Sequence, residues 1–160
     1  MEGEKKQKIT DEKVALKKAE HYCAYQERSQ QEVRDKLYEW GLWPTAIEKI
    51  ITQLIVDGYL NEERFARAYA LGKFRQKGWG KIKIKQGLKL KRVPDGLIKK
   101  SLGAIDPDAY TIMLTQLLEK KAALVKEKND FKRRYQLQQY ALGRGYESDL
   151  IAEVLKNSDL

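Results

Sequence analysis

The chain of 160 residues contains only one cysteine, one histidine and three prolines. A single cysteine excludes a disulfide framework within the chain, and one cysteine with one histidine cannot supply the ligands of a His/Cys zinc site. No apolar run approaches the roughly 20 residues that a membrane span needs. The start, MEGEKKQKITDEK, is charged throughout and lacks the apolar core of a signal peptide. These absences predict a soluble, cytoplasmic protein with no metal site and no membrane contact.

Signatures of catalysis are also missing. The chain has no G-x-x-x-x-G-K-[ST] loop for nucleotide phosphates. His21 has no serine and aspartate partner set that would identify it as a catalytic base. Cys23 is interpreted as a small buried apolar residue, and Asp106 and Asp108 as a helix cap beside a proline. We therefore predict a protein that is not an enzyme, with no catalytic residue and no cofactor.

Positive charge is concentrated in one window that contains no acid. The chain carries 32 Lys+Arg against 23 Asp+Glu, a net charge of +9, yet no acidic residue lies between Glu63 and Asp95. Such a concentration is typical of a polyanion-binding surface, because contacts with phosphates release condensed counterions. The alternative is a solvated helix face, but acids are absent here and not interleaved. The sign alone does not choose between DNA, RNA and an acidic protein. The window contains Arg64, Arg67, Lys73, Arg75, Lys77, Lys81, Lys83, Lys85, Lys89, Lys91 and Arg92.

The apolar periodicity predicts an all-α protein. Local signals mark helix ends: Thr10 or Asp11 as a first N-cap, a capping box from Ser29 to Glu32, Gly58 as a left-handed terminator and Asn61 as a further cap. Val14 follows the helical spacing of the first helix, Ile55 is placed on the buried stripe of the third helix, and Phe74 is placed among exposed aromatics. A longer helix is predicted from Asp106-Pro107 to about Lys128. The alternation over residues 81–85 could also indicate a strand.

An internal repeat favours the helix at residues 81–85. Aligning Ser29, Gly80 and Arg133 brings Ile47, Ile98 and Ile151 to one position, and Ile51, Leu102 and Leu155 to another. Each copy is a helix, a tight turn and a second helix, preceded by a longer helix. We predict a disordered tail at 1–10 and three-helix repeats at 11–60, 61–105 and 106–160, which stack because one unit alone buries too little apolar surface.

These motifs resemble the RecX family, bacterial regulators of the RecA recombinase. The first repeat carries RSQQEVRDKL at 28–37 and DGYLNEERFA at 57–66, the most specific segment. The second carries KGWGKIKI at 77–84, and the third carries RGYESDLIAEVL at 144–155. The resemblance covers about residues 14–156, which is nearly the whole chain.

The resemblance implies three tandem three-helix repeats that form an elongated, curved body. It also implies a regulatory protein that binds the RecA nucleoprotein filament and inhibits its ATPase and strand exchange, with effects on DNA repair, recombination and the SOS response. We expect a monomer that also binds single- or double-stranded DNA with weak sequence preference. The alternative is a stand-alone nucleic-acid-binding protein built from helical repeats.

The residues predicted to bind the filament or DNA form two groups. Lysine predominates over arginine, asparagine and glutamine, which favours phosphate contacts over base readout. Trp79 is either exposed for stacking on bases or fills a gap between repeats, and both interpretations stay open. Which residues contact protein and which contact DNA is not assigned. The first group is Lys73, Arg75, Lys77, Trp79, Lys81, Lys83, Lys85, Lys89, Lys91 and Arg92; the second is Arg133, Arg134 and Arg144.

Overall fold

The computed structural model describes residues 11–160, so the tail predicted at 1–10 and Thr10 as a cap lie outside the described residues. The described chain forms nine helices and no strand, which confirms the all-α prediction. None of these helices combines the length and the apolar content needed to cross a bilayer. The helices are α1 Glu12–Tyr25, α2 Gln30–Glu39, α3 Pro44–Val56, α4 Glu62–Lys77, α5 Lys81–Leu90, α6 Asp95–Leu102, α7 Pro107–Ala122, α8 Asp130–Gly143 and α9 Ser148–Lys156.

The predicted helix ends are confirmed where the signal is local. Asp11 accepts a hydrogen bond from the Lys13 N–H, and Ser29 forms the capping box with Glu32. Asn61 caps α4 by accepting from the Arg64 N–H at 2.8 Å. Gly58 follows α3 with a φ of +80°, a conformation that glycine adopts without steric cost.

Residues 11–66 and 91–93 form one compact unit, in which α1, α2 and α3 pack on one another. Val14 and Ile55 do not belong to its core: both are exposed, and on α1 the small Ala15 and Ala19 face inward. Cys23 is buried as predicted, and burial raises the pKa of its thiol to about 11. The core contains Ala15, Ala19, Cys23, Val33, Leu37, Leu42, Ala46, Ile47, Ile50, Ile51, Leu54 and Leu60.

Residues 67–90 and 94–160 form the other compact unit. There α5 packs on α6, and α7, α8 and α9 pack on one another. The division between the two units falls within α4, whereas the repeat boundaries predicted after residues 60 and 105 fall in turns. Large buried side chains of this unit include Ile84, Leu88, Ile98, Leu114, Leu118, Leu137, Tyr146 and Ile151.

The seventh helix is shorter than predicted and ends at Ala122 instead of near Lys128. The guanidinium of Arg133 donates to the carbonyls of Ala122 at 2.8 Å and Val125 at 3.0 Å. These bonds satisfy carbonyls at the helix end, so the chain can leave the helix without orphaned acceptors. Asn129 then caps α8 by accepting from the Lys132 N–H.

Candidate functional site

Seven cationic side chains lie at the end of α4 and along α5, and we call them the lysine surface. The turn Gly78–Gly80 joins the two helices. At the end of α4, the positive charges also interact favourably with the negative end of the helix dipole. The lysine surface consists of Lys73, Arg75, Lys77, Lys81, Lys83, Lys85 and Lys89.

The orientation of α5 follows from its two buried residues. Ile84 and Leu88 are fully buried and anchor one face of the helix, as the 3.6-residue period requires. Lys85 and Lys89 consequently point to solvent and are exposed, whereas Lys81 and Lys83 are half-buried beside the anchored face. The segment 81–85 is therefore helical, as the repeat predicted.

Trp79 is half-buried in the turn. It is therefore neither fully exposed for stacking on bases nor fully enclosed as a residue that fills a gap between repeats. The Nζ of Lys73 lies 4.9 Å from its ring centroid, and the Nζ of Lys83 lies 4.7 Å from it. Both distances are typical of cation–π interactions, so the indole holds two ammonium groups in place. Phe74, expected among the exposed aromatics, is buried and packs edge-on against Tyr110 at 5.8 Å.

The turn Gly78–Gly80 is fixed by the turn that follows α8, and we call this pair of turns the turn clasp. The Gly80 N–H donates to the Arg144 carbonyl at 2.8 Å, and the Ile82 N–H donates to the Gly145 carbonyl at 2.9 Å. A Cβ on Gly80 would lie 2.3 Å from the Gly145 carbonyl carbon. Only glycine allows the two backbones to approach this closely.

Tyr110 fixes the first turn of α5 within the same unit. Its hydroxyl accepts from the Lys81 N–H at 2.9 Å and donates to the Glu147 carboxylate. Burial, together with the bond to Glu147, raises the pKa of Tyr110 above its ordinary value, so the phenol stays protonated. Tyr146 adds a bond from its hydroxyl to the Gly78 carbonyl at 3.0 Å. The sequence prediction missed both tyrosines as supports of the lysine surface.

No carboxylate neutralises the lysine surface. Within residues 11–160, none of its seven cations forms an ion pair, whereas Arg34, Lys36, Lys49 and Arg64 each do. Arg64, at the edge of the acid-free window, is different because it pairs with Glu27. The exposed cations therefore keep their charge available for an external polyanion.

The second predicted group is not brought together at one place. Arg144 lies in the turn clasp and donates to the Lys77 carbonyl, next to the lysine surface. Arg134 is exposed and lies ten residues earlier, about 15 Å back along α8 at 1.5 Å per residue, where it donates to the Leu155 carbonyl at 3.5 Å. Arg133 donates to three carbonyls, those of Ala122, Val125 and Leu160, so its guanidinium supports the fold.

Lys91 and Arg92 follow α5 in a turn of the compact unit that contains residues 11–66. Lys91 is half-buried and Arg92 is exposed. Arg92 has a φ of +57°, in the left-handed region that few side chains adopt, and it ends α5 where glycine commonly stands. Its backbone conformation therefore has a structural explanation independent of any ligand.

Family models of three RecX domains match the chain. The first three-helix domain matches residues 15–54, the second 61–102 and the third 113–155. The regulatory protein RecX of Prosthecochloris aestuarii is 31% identical over 146 residues, which cover 91% of this chain and 94% of that protein. The regulatory protein RecX of Bacillus licheniformis is 29% identical over 149 residues, or 93% of this chain. The match spans only 57% of that longer relative.

Two crystal structures have the same fold. The structure of RecX from Lactobacillus salivarius superposes with a TM-score of 0.84 at 23% identity and covers 91% of this chain and 94% of that one. A second structure, of a regulatory protein RecX, gives a TM-score of 0.83 at 19% identity over 91% of this chain and 72% of that one. The three-helix domains predicted from the repeat are therefore confirmed as the architecture.

Proposed function

The chain belongs to the RecX family of regulatory proteins, and we propose that it binds the RecA–DNA filament and inhibits its ATPase and strand exchange. The proposal adds that the lysine surface makes the contact. The observation that supports it is the set of seven cations on α4 and α5 with no paired carboxylate in the described chain. The protein would act in the cytoplasm as a monomer, by binding and without catalysis.

The chemistry of the lysine surface fits a nucleoprotein filament. A filament built on DNA presents closely spaced phosphates, and each lysine that neutralises one releases a counterion. The exposed side chains of α5 include Lys85, Gln86 and Lys89 but no arginine or asparagine. Ammonium groups bind phosphates as point charges and carry little sequence information. The expected interaction is therefore tolerant of DNA sequence, on single or double strands.

The RecA ATPase on single-stranded DNA, measured with increasing amounts of this protein, tests the proposal. The test variant K77E/K85E/K89E reverses three exposed cations of the lysine surface. The control K13E/K17E/K126E reverses three exposed lysines elsewhere and changes the net charge equally. We expect the parent and the control to inhibit alike. The test variant should need on the order of 100-fold more protein for the same inhibition.

Each other outcome contradicts a stated part of the proposal. If the parent does not inhibit the ATPase, the role as a RecA inhibitor is wrong. If the test variant inhibits as well as the parent, the lysine surface is not the contact. If the parent binds DNA alone but leaves the ATPase unchanged, the chain is a stand-alone nucleic-acid-binding protein.

A further inference from the structure

An exposed pair of aromatic side chains lies on α8, outside the buried face of the helix. Phe131 is 83% exposed and Tyr135 is 56% exposed, although phenylalanine has no polar atom to hydrate. Because four residues separate them, the two rings lie on one face of the helix, about 6 Å apart along its axis. The buried face of α8 is instead formed by Leu137 and Ala141.

Positive charge surrounds this pair. Between residues 128 and 134 the sequence has four cationic side chains against a single carboxylate, that of Asp130. Lys128, Lys132 and Arg134 are exposed, and no ion pair involves them within residues 11–160. The combination of aromatic and cationic side chains differs from an ordinary solvated helix face, which carries both signs of charge.

A groove lies beside Phe131. It has a volume of about 350 Å³, which is at the lower end of the range for ligand pockets. Leu137 and Leu155 contribute its apolar side, and Asp130, Arg133 and Arg134 contribute polar groups. The donors of Arg133 are directed at three backbone carbonyls. Arg134 is exposed and donates to the Leu155 carbonyl alone, at a long 3.5 Å, so its remaining donors can face a ligand.

We propose that Lys128, Phe131, Lys132, Arg134 and Tyr135 form a second site, which binds single-stranded nucleic acid by stacking on its unpaired bases. Aromatic faces stack on any base, and neighbouring lysines and arginines bind the phosphates between them. Duplex bases are already stacked on one another, so the site selects unpaired strands. We call these five residues the stacking site.

The stacking site and the lysine surface differ in chemistry. The Trp79 ring of the lysine surface is half-buried and already in contact with two ammonium groups, so it offers little free aromatic area. Within residues 11–160, no cation lies over the ring of Phe131 or Tyr135, and both rings are largely open to solvent. The lysine surface therefore binds phosphates, and the stacking site binds bases.

Binding of the purified protein to two fluorescent oligonucleotides tests the proposal without RecA. One probe is oligo-dT, and the other is an abasic strand with the same number of phosphates. The variant F131A/Y135A removes both rings and no charge. The control Y25A/Y38A removes two exposed tyrosines from α1 and α2, which are 83% and 74% exposed.

We expect F131A/Y135A to weaken oligo-dT binding by about 10-fold or more, because stacking contributes about 1–3 kcal/mol per base. Its binding to the abasic strand and its salt dependence should match those of the parent, since no cation is removed. Y25A/Y38A should bind both strands like the parent. The variant F131Y/Y135F keeps two aromatic rings and should restore oligo-dT binding.

The stacking site is overturned if F131A/Y135A binds oligo-dT like the parent, or if both probes lose affinity equally. A loss of ATPase inhibition with unchanged oligo-dT binding would show that the pair contacts protein, which also overturns it. Thermal unfolding of each variant separates these results from misfolding. Because the binding assay contains no RecA, its result does not depend on whether the protein inhibits the filament.

Discussion

The first repeat and the α4–α5 region hold their charged helices in different ways. In the first repeat, charges of both signs are interleaved and pair across helices. Arg34 on α2 donates to Glu48 on α3 at 2.7 Å, and Lys49 on α3 lies 3.4 Å from Glu12 on α1. In the α4–α5 region, the seven cations of the lysine surface have no acidic partner within residues 11–160. The turn between the two helices is held by backbone hydrogen bonds to Arg144 and Gly145.

The difference shows how a surface can carry unpaired charge without weakening the fold. Exposed ion pairs contribute little stability, so their absence costs the α4–α5 region little. The position of the α4–α5 region depends instead on the turn clasp and on Tyr110. Both are buried or half-buried, and neither includes a cationic side chain of the lysine surface. Binding and stability are therefore carried by different atoms, and mutations should separate them.

The largest loss of stability is expected from G80A. The new Cβ would lie 2.3 Å from the Gly145 carbonyl carbon and 2.5 Å from the Tyr146 nitrogen, and backbone atoms cannot move aside locally. We expect the free energy of unfolding to fall by about 3 kcal/mol, at the upper end for overpacking. Chemical denaturation followed by circular dichroism measures the change.

The matched control is G72A, inside α4. A Cβ at Gly72 meets nothing within 4 Å, and alanine is the better helix former. The control should leave stability unchanged or raise it by up to about 1 kcal/mol. Equal stability of the two variants would mean that the turn clasp does not hold the α4–α5 region.

A smaller loss is expected from Y110F. The change removes the acceptor for the Lys81 N–H and the donor to Glu147, at a cost of about 1–3 kcal/mol. The raised pKa of Tyr110 gives this cost a pH dependence. Above pH about 10 the unfolded tyrosine ionises while the folded one stays protonated, so the parent loses stability relative to the variant. Chemical denaturation at pH 8 and pH 11 measures the free energy of unfolding of both proteins. The difference between parent and variant should be smaller at pH 11, and a difference that stays constant would contradict the prediction.

Removing one ion pair of the first repeat should have a still smaller effect. E48Q should cost about 0.5 kcal/mol at pH 7, because the pair is largely exposed to solvent. The hydrogen bond from Arg34 lowers the pKa of Glu48, so its contribution is present above pH about 4.3 and is lost as the pH falls through the folded pKa. Melting curves of both proteins from pH 7 to pH 3 should converge. A difference in melting temperature that widens in acid would contradict this prediction.

The sequence predicted those parts of the fold that depend on near neighbours. The Ser29–Glu32 capping box, the Asn61 cap and the left-handed Gly58 each involve residues within three positions. The helix at 81–85 was decided by the repeat, since local alternation alone also allowed a strand. The lysine surface was visible because all its cations lie in one short segment.

Long-range partners were not predictable. Tyr110 reaches Lys81 across 29 residues and Glu147 across 37, and no local pattern marks either pairing. Arg133 counted as a binding residue by charge alone, but its guanidinium supports the end of α7. Helical spacing groups Val14 with the periodic residues of α1, whereas in the structure Ala15 is buried and Val14 is exposed. In each case the tertiary contact decides, and sequence spacing does not encode it.

The variant with reversed charges on the lysine surface should change stability least, although it should change binding strongly. K77E/K85E/K89E alters exposed side chains with no ion pair, so its free energy of unfolding should stay within about 0.5 kcal/mol of the parent. If the lysine surface contacts about six phosphates of single-stranded DNA, log affinity should fall against log salt with a slope near −4. Reversing three cations should make that slope shallower by about 2.

Fluorescence anisotropy between about 50 and 200 mM salt measures both slopes, a range over which phosphate contacts dominate the change in affinity. The control K13E/K17E/K126E should keep the slope of the parent, since its lysines lie outside the lysine surface. Poly-dT and mixed sequences should bind the parent within a few-fold of each other, because ammonium groups read no base edges. If K77E/K85E/K89E keeps the salt slope of the parent but melts several degrees lower, the prediction is wrong. The lysines would then support the fold, and the charges that bind DNA would lie elsewhere on the chain.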